Sequence, residues 1–164
     1  MPNPDRPRSS TGFPHILDTI QWLLVAVGTA VAIYLIYVHY QEIALVCGIG
    51  DCEKVQTSKY AEFAGIPIAW LGLALYVVIA ALLAARQKRL IDADIVTVLL
   101  VGSTFAGTLA VGYLTYLEIW VIDAICQWCV TFAIVTVILF IVTALQLRET
   151  FAPSDEPTTG DSRP

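Results

Sequence analysis

The sequence predicts an all-α integral membrane protein, a bundle of four transmembrane helices capped at its extracytoplasmic end by a polar loop with a short helix of its own. Three observations predict it. Hydrophobic residues make up 57% of the 164 and charged residues only 14%, whereas a soluble domain carries about 25% charged residues. Four segments, residues 16–38, 66–85, 95–117 and 125–147, reach the roughly 20 apolar residues that a helix needs to cross the hydrocarbon. The basic residues also fall very unevenly on the two sides of those segments.

Residues 1–15 hold four prolines and no apolar run, so they read as a cytoplasmic tail and not as a cleavable signal. The first span, in the membrane domain 16–147, leads into a polar loop over about residues 40–65, with its short helix expected near 53–63. His39 and Tyr40 read as a pair at the membrane interface. Gly65 is a loop residue, and Pro67 fits the first turn of the second span, where its missing N–H costs nothing. The turn Arg86-Gln87-Lys88-Arg89 leads into the third span. There Gly102, Gly107 and Gly112, with Ser103, Ala106 and Ala110 between them, would let helix backbones approach closely. A connection over 118–124 precedes the fourth span. Residues 148–164 read as a disordered cytoplasmic tail. The net charge of −5 says little about partners, because Glu149, Asp155, Glu156 and Asp161 lie in that tail.

Arg6, Arg8, Arg86, Lys88, Arg89, Arg148 and Arg163 fall on one side of the spans, against Lys54 and Lys59 on the other. Basic residues in short loops favour the cytoplasm, so both termini are expected there. All four cysteines then face the oxidising extracytoplasmic side.

Those cysteines form two close pairs, Cys47/Cys52 in Cys-Gly-Ile-Gly-Asp-Cys and Cys126/Cys129 in Cys-Gln-Trp-Cys. Two dithiol/disulfide pairs on one side of a bilayer can pass two electrons by successive exchange. At the start of a helix, Cys126 and Cys129 project from nearly one face at a separation that suits a disulfide. Free N–H groups and the helix dipole favour a thiolate at Cys126 more than at Cys129 one turn deeper. Cys126 is therefore the expected exchanging thiol, with Cys129 facing the bundle. Structural disulfides and a four-cysteine zinc site would use the same spacing. The compartment disfavours zinc, so no metal is expected, and a loop closed over four residues gains little stability from a cross-link.

Asp123 is a candidate N-cap for the fourth helix. Asp123 and Glu118 are also the acids placed to relay protons at this surface. Trp70, Tyr76, Tyr113, Tyr116 and Trp128 are candidates to surround a flat apolar ligand, although interfacial anchoring explains most aromatics so placed. No ionisable residue marks a span interior, which argues against a small transporter. A non-enzymatic membrane scaffold with structural disulfides stays open.

The loop pair ending in Cys52-Glu53-Lys54-Val55-Gln56-Thr57-Ser58, then Phe63-Ala64-Gly65-Ile66-Pro67, then Cys126-Gln127-Trp128-Cys129 opening the last span, resembles the vitamin K epoxide reductase family, in particular its bacterial quinone-linked members. The likeness covers about residues 16–147. The DsbB type of quinone reductase has its Cys-x-x-Cys in the first external loop and is the poorer match. The resemblance implies a quinone (menaquinone, ubiquinone or phylloquinone) bound near the external end of the bundle as electron acceptor. Ser58 stands where the family has its loop serine, and Ile68, Leu71, Leu75, Tyr113, Tyr116 and Ala133 are candidates to line the site. Ala133 and Ile68 replace a tyrosine and an asparagine that help hold the vitamin K ring in vertebrate members. Quinone reduction is thus expected ahead of vitamin K epoxide reduction, which stays the alternative within the family.

The expected partners are membrane lipid and an extracytoplasmic thioredoxin-fold (DsbA-like) protein, with no nucleic acid. No thioredoxin-like domain follows the fourth span, so that partner is expected to be a separate chain. The expected route runs from the partner to Cys47, then from Cys52 to Cys126, and from Cys129 to the quinone. A bacterial plasma membrane is the location the resemblance implies.

Overall fold

The computed structural model describes residues 13–41, 46–48, 50–63 and 65–151. In chain order the elements are α1 (Phe13–Gln41), α2 (Cys52–Gln56), the hairpin strands β1 (Glu62–Phe63) and β2 (Ile66–Pro67), α3 (Ile68–Gln87), α4 (Ala93–Leu117), one π-helical turn (Glu118–Ile122) and α5 (Gln127–Phe151). Four of the helices are long and apolar enough to cross a membrane, as their composition requires. The two tails expected from sequence lie for the most part outside the described residues.

Helix α4 packs most extensively on α5, while α1 packs on α3 and α5, and α3 on α4. The core gathers Val25 of α1, Tyr76, Ile79 and Leu83 of α3, Val96 and Leu100 of α4, and Val135 and Leu139 of α5. The opposite faces expose Leu23, Ile33, Val77, Leu99 and Ile141, as suits helices solvated by lipid. Association in lipid depends on close packing and interhelical hydrogen bonds. The Tyr76 and Thr136 hydroxyls accordingly meet at 3.0 Å and those of Thr104 and Thr143 at 2.9 Å.

Glycine supplies the close packing, but not in the stripe expected from sequence. A Cβ on Gly107 would lie 2.5 Å from Leu75, whereas Gly102 and Gly112 have nothing within 4 Å. The other tight sites are Gly28, against the Tyr76 ring, and Gly72, against Phe132.

At the end of the bundle away from the cysteines, Arg86 draws three helices together. Its guanidinium donates to Asp18 and Gln21 of α1 and to Gln146 of α5. The first span therefore does carry an ionisable residue, Asp18, and its partner Arg86 lies inside α3, not in a solvated turn. The chain reverses after α3 with Arg89 in the left-handed region, φ 51°.

Three expectations about the loops need correction. The short helix near 53–63 ends at Gln56, because hydroxyls compete for its last carbonyls: Thr57 Oγ1 donates to Glu53 O at 2.8 Å and Ser58 Oγ to Val55 O at 2.7 Å. Pro67 is not in the first turn of α3; it is paired with Glu62 in the hairpin, which turns through Gly65 at φ 80°. The 118–124 connection is largely the π turn that extends α4.

Candidate functional site

Helix α5 starts at Gln127, so Asp123 lies too far upstream to cap it. Asp123 instead ends the π turn in the left-handed region, φ 53°, which asparagine and aspartate tolerate better than most residues. The capping position belongs to Cys126. Its sulfur accepts from the backbone N–H of Cys129 at 3.4 Å, and its carbonyl accepts the first helical bond, from Val130, at 3.0 Å. This is the geometry of a side-chain N-cap, with sulfur in the place of the usual oxygen.

The loop that carries Cys47 and Cys52 is stitched to this helix start. Gly50 and Cys126 form an antiparallel bridge, and Asp51 N donates to Ile125 O at 3.0 Å. Gly48 N donates to Gln127 Oε1 at 3.2 Å, Trp128 Nε1 to Val46 O at 3.1 Å, and Lys54 Nζ to Asp123 O at 3.2 Å. Glycine is required at 50 on two counts: φ is 93°, and a Cβ would lie 2.1 Å from the Ile125 carbonyl oxygen. Asp51 starts α2 with a side-chain cap on Lys54 N at 3.1 Å, which points Cys52 inward.

All four cysteines consequently share one cluster. Cys52, Val55 and Cys126 form its buried centre, with Cys47, Ile122, Ala124, Trp128 and Cys129 packed around them. Cys47 and Cys52 are disulfide-bonded, with Cα atoms 6.2 Å apart, while Cys126 and Cys129 are free thiols. Cys47 is partly exposed and Cys52 is 1% exposed, so the disulfide has an outer and an inner sulfur. The Cys126 thiol is held below the ordinary thiol range, chiefly by the Cys129 side chain. Burial and the Glu118 charge oppose this, while the N–H groups of Cys129 and Trp128 assist it.

Of the two acids singled out from sequence, the structure brings one to the cysteines. Glu118 is only 4% exposed. Its Oε2 accepts from the backbone N–H of Cys126 at 3.4 Å, and its carboxyl lies close enough to the Cys129 thiol for the two to interact electrostatically. Asp123 is exposed and meets the cap loop through its backbone carbonyl.

The candidate ring-binding residues divide. Ile68, Leu75 and Ala133 are partly buried. Leu71 is 50%, Tyr113 61% and Tyr116 55% exposed, on the outer faces of their helices. Ser58 is partly buried and its hydroxyl is taken by Val55 O. Trp70 bonds Tyr40 through Nε1 at 3.4 Å, and His39 approaches Glu62 at 3.7 Å. Sequence reasoning missed Tyr34, whose ring lies 4.6 Å from that of Trp128; only the packing of α1 on α5 reveals it. It also missed Gly50, although a glycine directly before an N-cap aspartate is a readable sign of a tight turn.

Residues 19–144 match the sequence profile of the vitamin K epoxide reductase family. The matched stretch runs from α1 into α5 and includes both cysteine pairs.

Proposed function

Because the chain belongs to the vitamin K epoxide reductase family, whose members are membrane oxidoreductases that use quinones, we propose that it is a thiol oxidase. In this reading it reoxidises a thioredoxin-fold protein outside the cytoplasm and delivers the electrons to a membrane quinone. The observation that carries the reading is the single cysteine cluster, in which the inner sulfur of a disulfide packs with the capping thiol of a second pair.

The exchange follows from exposure. A partner thiolate attacks Cys47, the outer sulfur, and releases Cys52 as the leaving thiolate. A second partner thiolate resolves that mixed disulfide, leaving Cys47 and Cys52 reduced. Cys52 then attacks Cys126 of an oxidised inner pair and releases Cys129. Attack of Cys47 on Cys52 restores the outer disulfide and leaves Cys126 and Cys129 reduced. Each stage moves two electrons and two protons inward, and closure of Cys126–Cys129 releases them. The helix start favours the thiolate at Cys126, the sulfur that both receives the attack and re-forms the bond.

When bound, a quinone supplies a two-electron, two-proton acceptor. The surroundings of Cys129 fit such a group: the Trp128 ring in the same cluster, its tilted contact with the Tyr34 ring and the partly buried Ala133 one turn along α5 offer apolar surface with few polar groups. Ile68 and Ala133 carry no hydrogen-bonding side chain, so this lining favours a quinone over vitamin K epoxide. The excess of basic residues at the end opposite the cysteines supports a multi-pass orientation with the cluster outside.

The test is spectroscopic quinone reduction by the purified full chain, with a reduced thioredoxin-fold donor and ubiquinone or menaquinone. Turnover that Cys129→Ser abolishes is the expected result. No turnover with either quinone would instead favour a scaffold with structural disulfides.

A further inference from the structure

We propose that Glu118 is the general base of the inner cysteine pair: it takes the proton of the Cys129 thiol as the Cys126–Cys129 bond closes, and gives that proton up on the acceptor side. The inference rests on the thiol-oxidase reading and adds to it the residue that moves the proton.

Three independent features converge on this carboxyl. Glu118 is buried, at 4% exposure, although an acid at the end of an apolar helix has every reason to turn outward. It opens the π-helical turn Glu118–Ile122, a wide turn of a type that recurs at functional sites. Its side chain accepts the Cys126 N–H at 3.4 Å and lies within electrostatic reach of the Cys129 thiol. Buried charges kept for structure are paired with an opposite charge. Among the described residues, no lysine or arginine pairs with Glu118.

The other titratable groups around the site do not compete for the task. From the start of α5, the capping Cys126 and Cys129 face Glu118. From α2, Cys52 packs in the same cluster, while Glu53 and Lys54 are exposed and the Lys54 ammonium is bound to the Asp123 carbonyl. Asp123, beyond the π turn, is exposed.

The balance is simple. Cys126 reacts as the thiolate, its own proton already lost to water. Glu118 removes the proton from Cys129, the two sulfurs bond, and one electron pair leaves for the acceptor. Two protons accompany that pair, one from Glu118 and one from water.

The proton step can be isolated without a quinone. In a Cys47→Ser/Cys52→Ser protein with the inner pair reduced, diamide accepts two electrons and two protons as Cys126–Cys129 closes, and quenching with an alkylating agent reads the remaining thiols. With Glu118 in place, closure should vary little with pH across the neutral range. Glu118→Gln can still accept the Cys126 N–H bond but cannot take a proton. It should close about a hundredfold more slowly near neutrality, with a rate that climbs about tenfold per pH unit as hydroxide takes over. Glu118→His should introduce a limb near the imidazole pKa, about 6.5, and this serves where the glutamine variant does not fold. A Glu118→Gln protein that closes as fast as its parent, or more slowly by one factor at every pH, overturns the assignment. So does a histidine variant without the new limb. Quinone reduction by the otherwise unaltered protein is the separate arm: its failure with ubiquinone and menaquinone overturns the oxidase reading whatever diamide shows.

Discussion

The sulfur of Cys126 accepts a hydrogen bond from the backbone N–H of Cys129 at 3.4 Å, so the thiol that opens α5 also caps it. Capping and reactivity share this interaction, because the N–H that holds the helix end also adds to the stabilisation of negative charge on sulfur. The Cys126 pKa is lowered, with the Cys129 side chain as the largest cause. Its thiolate is therefore present above that lowered value and is lost as pH falls through it. In reduced protein, the ultraviolet thiolate absorbance should show an inflection below the ordinary thiol value of about 8.5. Cys129→Ala should move it upward and Cys126→Ser should remove it. The same sign applies to stability: the contribution is complete above the unfolded thiol's pKa and disappears as pH falls through the folded one. An inflection unmoved by Cys129→Ala would contradict the assigned cause.

The bridge between Gly50 and Cys126 places the loop disulfide on the helix start, so it should control transfer between the pairs. Cys129→Ala should accumulate a Cys52–Cys126 bond, detectable by non-reducing peptide mapping. Adding Gly50→Ala should reduce that species to a minor fraction, since the new Cβ meets the Ile125 carbonyl oxygen at 2.1 Å and the residue must hold φ 93°. A bond to Cys126 formed by Cys47 in place of Cys52 would reverse the order of transfer.

Gly28 and Tyr76 test the packing. A methyl on Gly28 would lie 2.1 Å from the Tyr76 ring, which cannot swing away freely while its hydroxyl is bonded to Thr136 and its ring rests on Phe132. Gly28→Ala should cost about 1–3 kcal/mol by overpacking. Tyr76→Phe should cost only about 0.6 kcal/mol, as interhelical hydrogen bonds in membranes typically do, because Thr136 keeps its bond to the Phe132 carbonyl. Unfolding in mixed micelles would rank them, and equal losses would mean that Gly28 is not a contact site.

The four spans and the meeting of the cysteine pairs were legible because length, hydropathy and Cys spacing act locally. The details of the site were not. Cys126 as its own cap escapes a rule built on serine, threonine, aspartate and asparagine, and so the cap was sought at Asp123. The π turn that swings Glu118 inward leaves no mark in a 3.6-residue pattern. The stripe Gly102, Gly107, Gly112 looked uniform, yet which glycine meets a neighbour depends on the facing helix: Leu75 lies over Gly107 alone. Tyr34 and Trp128 meet at a sequence separation of 94, beyond any local signal. Asp18 was passed over because one acid near a span end resembles an interfacial residue, when Arg86 in fact draws it into the bundle.

That Arg86 cluster gives the last prediction. The guanidinium is 17% exposed and pairs with Asp18, itself 36% exposed, while bonding Gln21 at 2.9 Å and Gln146 at 2.8 Å. Removing one partner of a partly buried polar group costs more than the bond itself, because what remains is desolvated and unpaired. Arg86→Met should therefore destabilise the bundle by about 1.5–3 kcal/mol, the range for hydrogen bonds to charged groups. Part of that loss should return when Asp18→Leu is added, since an apolar pair replaces the stranded carboxylate. The cluster lies at the end of the bundle away from the cysteines, so cysteine exchange in the folded fraction should be unchanged in both variants. Unfolding midpoints with and without Asp18→Leu are the measurement. A double variant no more stable than Arg86→Met alone would show that Arg86 acts through the two glutamines and not through Asp18.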